Sequence, residues 1–246
     1  MVSRSNLPAL TLGLVVVLVA FPADAAQKDL SLTETFSGPD GKTLLVDGAD
    51  LDIRVRSADV DHIEADILLH IRGTGDEKAS KWIENHTPVF TDGDDELRID
   101  VTPGGKPGFL GLGWASSRAR IAFLVPGGIV PDVTTTSGGI RVRGDFRNAH
   151  PLRLRTSSGN MEMVGAARSI DIRTADGDAQ IDVFRPLEHL FARSSTGEVR
   201  LVGGSREAHV DTASGNIWLE NLSGNTEVIT ATGKITLSWD RMDPGT

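Results

Sequence analysis

The chain has no cysteine and no tyrosine in its 246 residues, and only 5% of it is aromatic. Without cysteine there is no disulfide framework, no thiolate metal site, no cysteine nucleophile and no lipid anchor on cysteine. Positive charge is in deficit: 25 Lys and Arg stand against 34 Asp and Glu, a formal net charge of −9. That argues against a nucleic-acid-binding domain, which needs a basic footprint. After the N-terminal segment no stretch has the roughly 20 apolar residues of a spanning helix. What is abundant is glycine, 27 residues, beside a hydrophobic fraction of 39%. Together they make up about half the chain, ordinary for a globular protein and incompatible with wholesale disorder. The length allows one large domain or two small ones, with enough chain for a sizeable core.

Residues 1–25 read as a secretory signal peptide that is cleaved. Arg4 supplies the positive start, Leu10 to Phe21 the apolar run, and Ala23-Asp24-Ala25 the small-x-small cleavage pattern. The competing reading, an uncleaved anchor, meets a run that is too short and bracketed by Pro8 and Pro22. The expected destination is therefore outside the cytoplasm: periplasm, medium or cell surface.

A repeat organises the C-terminal half. Six segments align: Thr135–Val142, Thr156–Met163, Thr174–Ile181, Ser194–Leu201, Thr212–Leu219 and Thr230–Leu237. Their anchoring glycines are Gly138, Gly159, Gly177, Gly197, Gly215 and Gly233, spaced 21, 18, 20, 18 and 18 residues apart. Two and four residues after each glycine the side chain is apolar, from Ile140 and Val142 to Ile235 and Leu237. Five before it lies another apolar residue: Val133, Leu154, Ile172, Ala192, Val210 and Val228. Period-two alternation on both sides of a glycine predicts strand, turn, strand in each unit. So short a unit cannot bury its own core, and stacking the units gives a continuous interior. The sequence therefore predicts an all-β fold, a β-solenoid of rungs about 18–21 residues long. A β-sandwich of hairpins is the alternative, but hairpins give no reason for the same residue types to recur in register.

The expected organisation is a signal peptide at 1–25, an irregular β part at 26–130, regular rungs at 131–240 and a tail at 241–246. Strands are predicted at Thr43 to Val46, Leu51 to Val55, Ile63 to Ile71, Glu96 to Val101 and Arg118 to Val125. A short helix is predicted over residues 76–86, with acids at its start. The stretch around Gly48 to Val55 has the look of a first rung of the same solenoid.

The units Thr156 to Met163 and Thr212 to Leu219, together with Leu-Val-Pro-Gly-Gly at Leu124 to Gly128, resemble the bacterial putative-adhesin family of β-strand-repeat proteins. The resemblance covers nearly all of the chain after residue 25. It implies a solenoid-like envelope protein and supplies no catalytic residues.

The search for chemistry leaves catalytic, cofactor and metal sites unassigned. Gly41-Lys42-Thr43 lacks the earlier glycine of a phosphate-binding loop, where Phe36 stands. The six histidines, His62, His70, His86, His150, His189 and His209, are scattered without a paired metal spacing. Thr91 to Glu96 is acidic enough to raise calcium, yet an Asp-Gly turn joining two strands fits it better. Asp176-Gly177-Asp178 poses the same choice. Four residues before the repeat glycine, Arg155, Arg173 and Arg193 recur in successive units. They form either a stripe for an anionic ligand or a solvated face compensated by acids such as Asp171 and Glu162. The segment Gly104 to Trp114 carries Phe109, Leu110, Leu112 and Trp114 on a glycine-rich frame. Exposed, it would contact a partner; folded back, it would cover the sheet. The expected function is an exported, non-enzymatic envelope or surface scaffold whose partner is an envelope protein or surface glycan, with no cofactor. The alternatives are a carbohydrate-active enzyme on a β-helix and a periplasmic structural or assembly protein.

Overall fold

The computed structural model describes residues 27–72, 75–101, 116–147 and 151–240. The N-terminal part contains β1 (Gln27–Ser37), β2 (Thr43–Asp47), β3 (Asp52–Ala58), β4 (His62–Arg72), α1 (Asp76–His86), β5 (Val89–Asp92), β6 (Glu96–Asp100) and β7 (Ser116–Pro126). The repeats follow as β8 (Val130–Thr135), β9 (Ile140–Phe146), β10 (Leu152–Ser158), β11 (Met161–Ala167), β12 (Ser169–Asp176), β13 (Ala179–Val183), β14 (Leu187–Thr196), β15 (Val199–Val202), β16 (Ser205–Ser214), β17 (Ile217–Leu222), β18 (Thr226–Thr232) and β19 (Ile235–Trp239).

Each repeat contributes one even and one odd strand, and every strand pairs in parallel with its equivalent in the next repeat. The even ladder runs β8–β10–β12–β14–β16–β18 and the odd ladder β9–β11–β13–β15–β17–β19. Parallel, in-register pairing between successive units makes this a β-solenoid and excludes the sandwich of hairpins. On the inward side of the odd strands Ile140, Met163, Ile181, Leu201 and Leu219 are fully buried.

The repeat glycines stack directly on one another. A Cβ at Gly177 would overlap the carbonyl oxygen of Gly159, and the same holds for Gly159 on Gly138, Gly197 on Gly177, Gly215 on Gly197 and Gly233 on Gly215. Five of the six also have positive φ, between +134° and +154°. Gly138 does not; close approach alone requires it, because a Cβ there would overlap the Leu51 carbonyl. A second column, Thr135, Thr156, Thr174, Ser194 and Thr212, points buried hydroxyls towards this corner. Thr135 donates to the carbonyls of Ala49 at 2.6 Å and Leu51 at 3.1 Å.

The same ladders continue into the N-terminal part. β2 pairs in parallel with both β6 and β8, and β3 with both β7 and β9. The β2–β3 rung thus lies between β6–β7 and the first repeat: the chain builds on one side of it, then crosses to start the repeats on the other. Antiparallel strands finish this end, β4 on β7, β1 on β4, and β5 on β6. The β5–β6 hairpin turns at Gly93, whose N–H donates to Glu96 O at 2.9 Å, so the acidic Thr91 to Glu96 segment is a turn between strands. Helix α1 has the predicted bounds and buries Ala79, Trp82 and His86. Among the described residues no helix is long and apolar enough to cross a membrane.

Candidate functional site

The outward side of the even ladder is laid out in rows set by strand register. Six residues before the repeat glycine the row reads Asp132, Arg153, Asp171, Phe191, His209, Glu227; four before it, Thr134, Arg155, Arg173, Arg193, Asp211, Ile229. The structure brings Arg155, Arg173 and Arg193 onto three adjacent strands. Each has an acidic neighbour from the other row or the next rung. Arg155 Nη1 lies 2.8 Å from Asp132 Oδ1, and Arg193 Nη2 lies 3.2 Å from Asp211 Oδ2. Arg173 holds Asp171 with two bonds, at 3.0 and 3.1 Å. That bidentate contact raises the Arg173 pKa above its ordinary value, through the hydrogen bond first and the charge of Asp171 second.

A groove of about 840 Å³ opens over this face. Phe191 stands in it, its ring stacked on His209 with centroids 5.3 Å apart. The Arg173 guanidinium lies 5.0 Å from the Phe191 centroid. Parallel stacking of rungs sets Phe191 beside His209, at one register on successive strands; Arg173 reaches the ring diagonally, from the row two residues further along β12. The carboxylates of the groove are all engaged: Asp171 by Arg173, Glu207 by His189 at 2.9 Å and Glu227 by His209 at 3.0 Å. Glycoside cleavage uses a pair of carboxylates, one acid and one base or nucleophile; the three acids lining this groove each contact a neighbouring Arg or His side chain. Among the described residues no three His, Asp or Glu side chains gather as metal ligands would. Lys42, in the loop-like Gly-Lys-Thr, has a nearly inaccessible side chain 2.5 Å from Asp92 Oδ1, an internal ion pair. Phe109, Leu110, Leu112, Trp114 and His150 lie outside the described residues. The sequence reading counts His209 only among scattered histidines and does not single out Phe191, although the repeat alignment carried back to the sixth residue before the glycine places the two together.

Stacked parallel rungs with a glycine at each corner are the geometry on which the chain can be compared with known proteins. The sequence pattern described as Toastrack DUF4097 matches residues 44–244. The chain belongs to this family. The Toastrack match begins at β2 and so includes both the irregular rungs and the regular ones. Similar solved structures include a putative adhesin from Bacteroides fragilis, 13% identical, with a TM-score of 0.43 over 85% of this chain and 97% of that one. A putative lipid binding protein from Parabacteroides distasonis is 12% identical, with a TM-score of 0.40 over 86% and 97%. A putative adhesin from Parabacteroides merdae is 11% identical, with a TM-score of 0.35 over 86% and 96%. No curated protein matches the Toastrack chain.

Proposed function

We propose that this Toastrack protein is an exported, non-enzymatic interaction scaffold of the cell envelope or surface, adhesin-like in that it presents a surface to a partner. One observation carries the reading: inward columns repeat from rung to rung while the outward row of the odd ladder changes at every rung. Two residues after the glycine, five of the six side chains are 1% exposed or less, all apolar. One residue further, facing out, the row changes from Arg141 to Glu162, Gln180, Arg200, Trp218 and Thr236. A uniform core with a varied face is how solenoid repeats present extended binding surfaces. Signal-like residues 1–25 support export. The groove at Phe191, hydrogen-bonding at its rim, suits a surface glycan as partner.

Fractionation of cells carrying a C-terminally tagged chain tests the address. The tagged protein is expected in the periplasm, on the surface or in the medium, without residues 1–25; a cytoplasmic protein retaining them refutes export. Binding of the purified chain to an array of bacterial surface glycans tests the groove. Phe191→Ala should weaken a retained glycan by about tenfold, while bond cleavage on the array would replace this reading with an enzymatic one.

A further inference from the structure

The outward side of the odd ladder carries a second group of arginines, which the repeat alignment alone does not assemble. β3 places Arg54 and Arg56 outward, and β9 does the same with Arg141 and Arg143. Register sets Arg54 beside Arg141 and Arg56 beside Arg143. From β7, Arg120 lies beside Asp52, two residues along the strand from Arg54. Adjacent strands are about 4.8 Å apart, and like charges directly opposite one another destabilise a sheet.

Compensation here is thin, unlike on the even face. Glu162 alone reaches Arg143, at 2.8 Å, and Arg141, at 3.3 Å. The Asp52 carboxylate accepts the Gly139 N–H at 3.0 Å, and Asp178 accepts the Glu198 N–H at 2.8 Å. Among the described residues Arg54, Arg56 and Arg120 form no ion pair. The Nε atoms of Arg54 and Arg120 are buried and make no hydrogen bond. Burial lowers the Arg54 pKa, and the charges of Arg120, Arg141 and Arg143 lower it further against the opposing pull of Asp52. Beside the cluster is a depression of about 250 Å³, lined by Arg54 and Arg141 and by the carboxylates Asp52, Glu162 and Asp178, so the arginine patch that could take an anion lies on its Arg120 and Arg143 side. Five arginines, Arg54, Arg56, Arg120, Arg141 and Arg143, stand against Asp52, Glu162 and Asp178, with Glu64 and Asp66 of β4 beyond β7 on the same face, so positive charge is concentrated where β3, β7 and β9 meet.

We infer that Arg54, Arg120, Arg141 and Arg143 form a binding site for a phosphate group, presented as inorganic phosphate or as the monoester headgroup of a lipid. A dianion offsets the excess charge better than a single carboxylate, and guanidinium forks fit its oxygens in pairs. The inference is independent of the even-face groove and of where the protein resides.

Thermal unfolding in phosphate and in chloride, at matched ionic strength, tests the site on the whole chain. Phosphate should raise Tm of the unaltered protein, and Arg54→Gln/Arg120→Gln should remove that shift, weakening phosphate by about tenfold or more. In chloride the double variant should melt no lower than the unaltered protein, because a repulsion has been removed. Arg155→Gln/Arg173→Gln on the even face should keep the full phosphate response; an equal loss there would mean general charge screening and refute the site. Sedimentation with phosphatidylcholine vesicles, with and without phosphatidic acid, identifies the source. Binding that needs phosphatidic acid and is lost in the Arg54/Arg120 variant makes it a lipid headgroup, whereas a Tm response without sedimentation makes it free phosphate. The inference is overturned if neither probe separates the unaltered protein from that variant.

Discussion

At the scale of single residues, the glycine column is the least replaceable feature of the chain. Gly177 has φ +146° and no room for a Cβ against the Gly159 carbonyl, so a side chain meets strain from its own backbone and from the rung behind it. Gly177→Val should cost about 3 kcal/mol or more, read as a lowered urea midpoint; an unshifted midpoint would mean that the corner relaxes freely. The glycines and their apolar flanks were legible because they recur at one spacing, and recurrence is visible in a single sequence. The environment of each arginine was not. Arg155 and Arg173 are chemically the same residue as Arg54, yet the first two meet Asp132 and Asp171 while Arg54 meets Arg141. Arg173 finds Asp171 two residues back on its own strand, the acid the sequence already offered; for Arg155 and Arg54 the difference lies in which strand comes alongside.

At the scale of elements, the strands with clean alternation emerged from the sequence nearly to the residue, as did α1. β1 did not, because its inward row contains Glu34, a carboxylate 8% exposed, between Leu32 and Phe36. β5 is four residues long and largely exposed, too little to form a pattern. Among the described residues β1 pairs only with β4, antiparallel along its length, and a polar contact reinforces the pair: His70 Nδ1 lies 2.5 Å from Asp29 Oδ1. Hydrogen bonding from Gln27, then from His70, lowers the Asp29 pKa below its ordinary 3.8 despite partial burial. A carboxyl depressed in the folded state stabilises fully above its unfolded pKa, about 3.9, and that contribution is lost as pH falls through the lower folded value. Asp29→Asn should therefore be less stable than the unaltered chain at neutral pH, and the gap should close on acidification below about pH 4. Denaturant midpoints measured across that range check it; a gap independent of pH would remove Asp29 from the account.

At the scale of the molecule, the two ends of the solenoid differ. One is finished by β1, β4, β5 and α1. At the other, the described residues leave the core columns exposed: Ile235, inward by register, is 41% exposed, and Trp239 is 55% exposed, whereas the equivalent Ile217 of the rung before is 1% exposed. In a stacked array each rung is stabilised by its neighbours, so a rung with one described neighbour opens most easily. Hydrogen exchange should be fastest in β18 and β19 and slowest in β10 to β15. Uniform protection from β8 to β19 would show that the array unfolds as one cooperative unit. The phosphate response expected at Arg54 belongs to this scale too, because β3, β7 and β9 meet there only through the crossing that puts β2–β3 inside the stack.

The sequence by itself determined the rung: its length, its glycine corner, which side chains face in, and the all-β class that follows when such units stack. Those properties are local and periodic, so they are written wherever the repeat is written. Only the tertiary structure decided the order of the first rungs, the finished and open ends, and the contrast between a compensated arginine face and an uncompensated one. Each of these depends on pairing between strands far apart in the chain, and a one-residue change of register would exchange the inward and outward rows. Periodicity reveals what every rung has in common; charge partners are set by which rungs become neighbours.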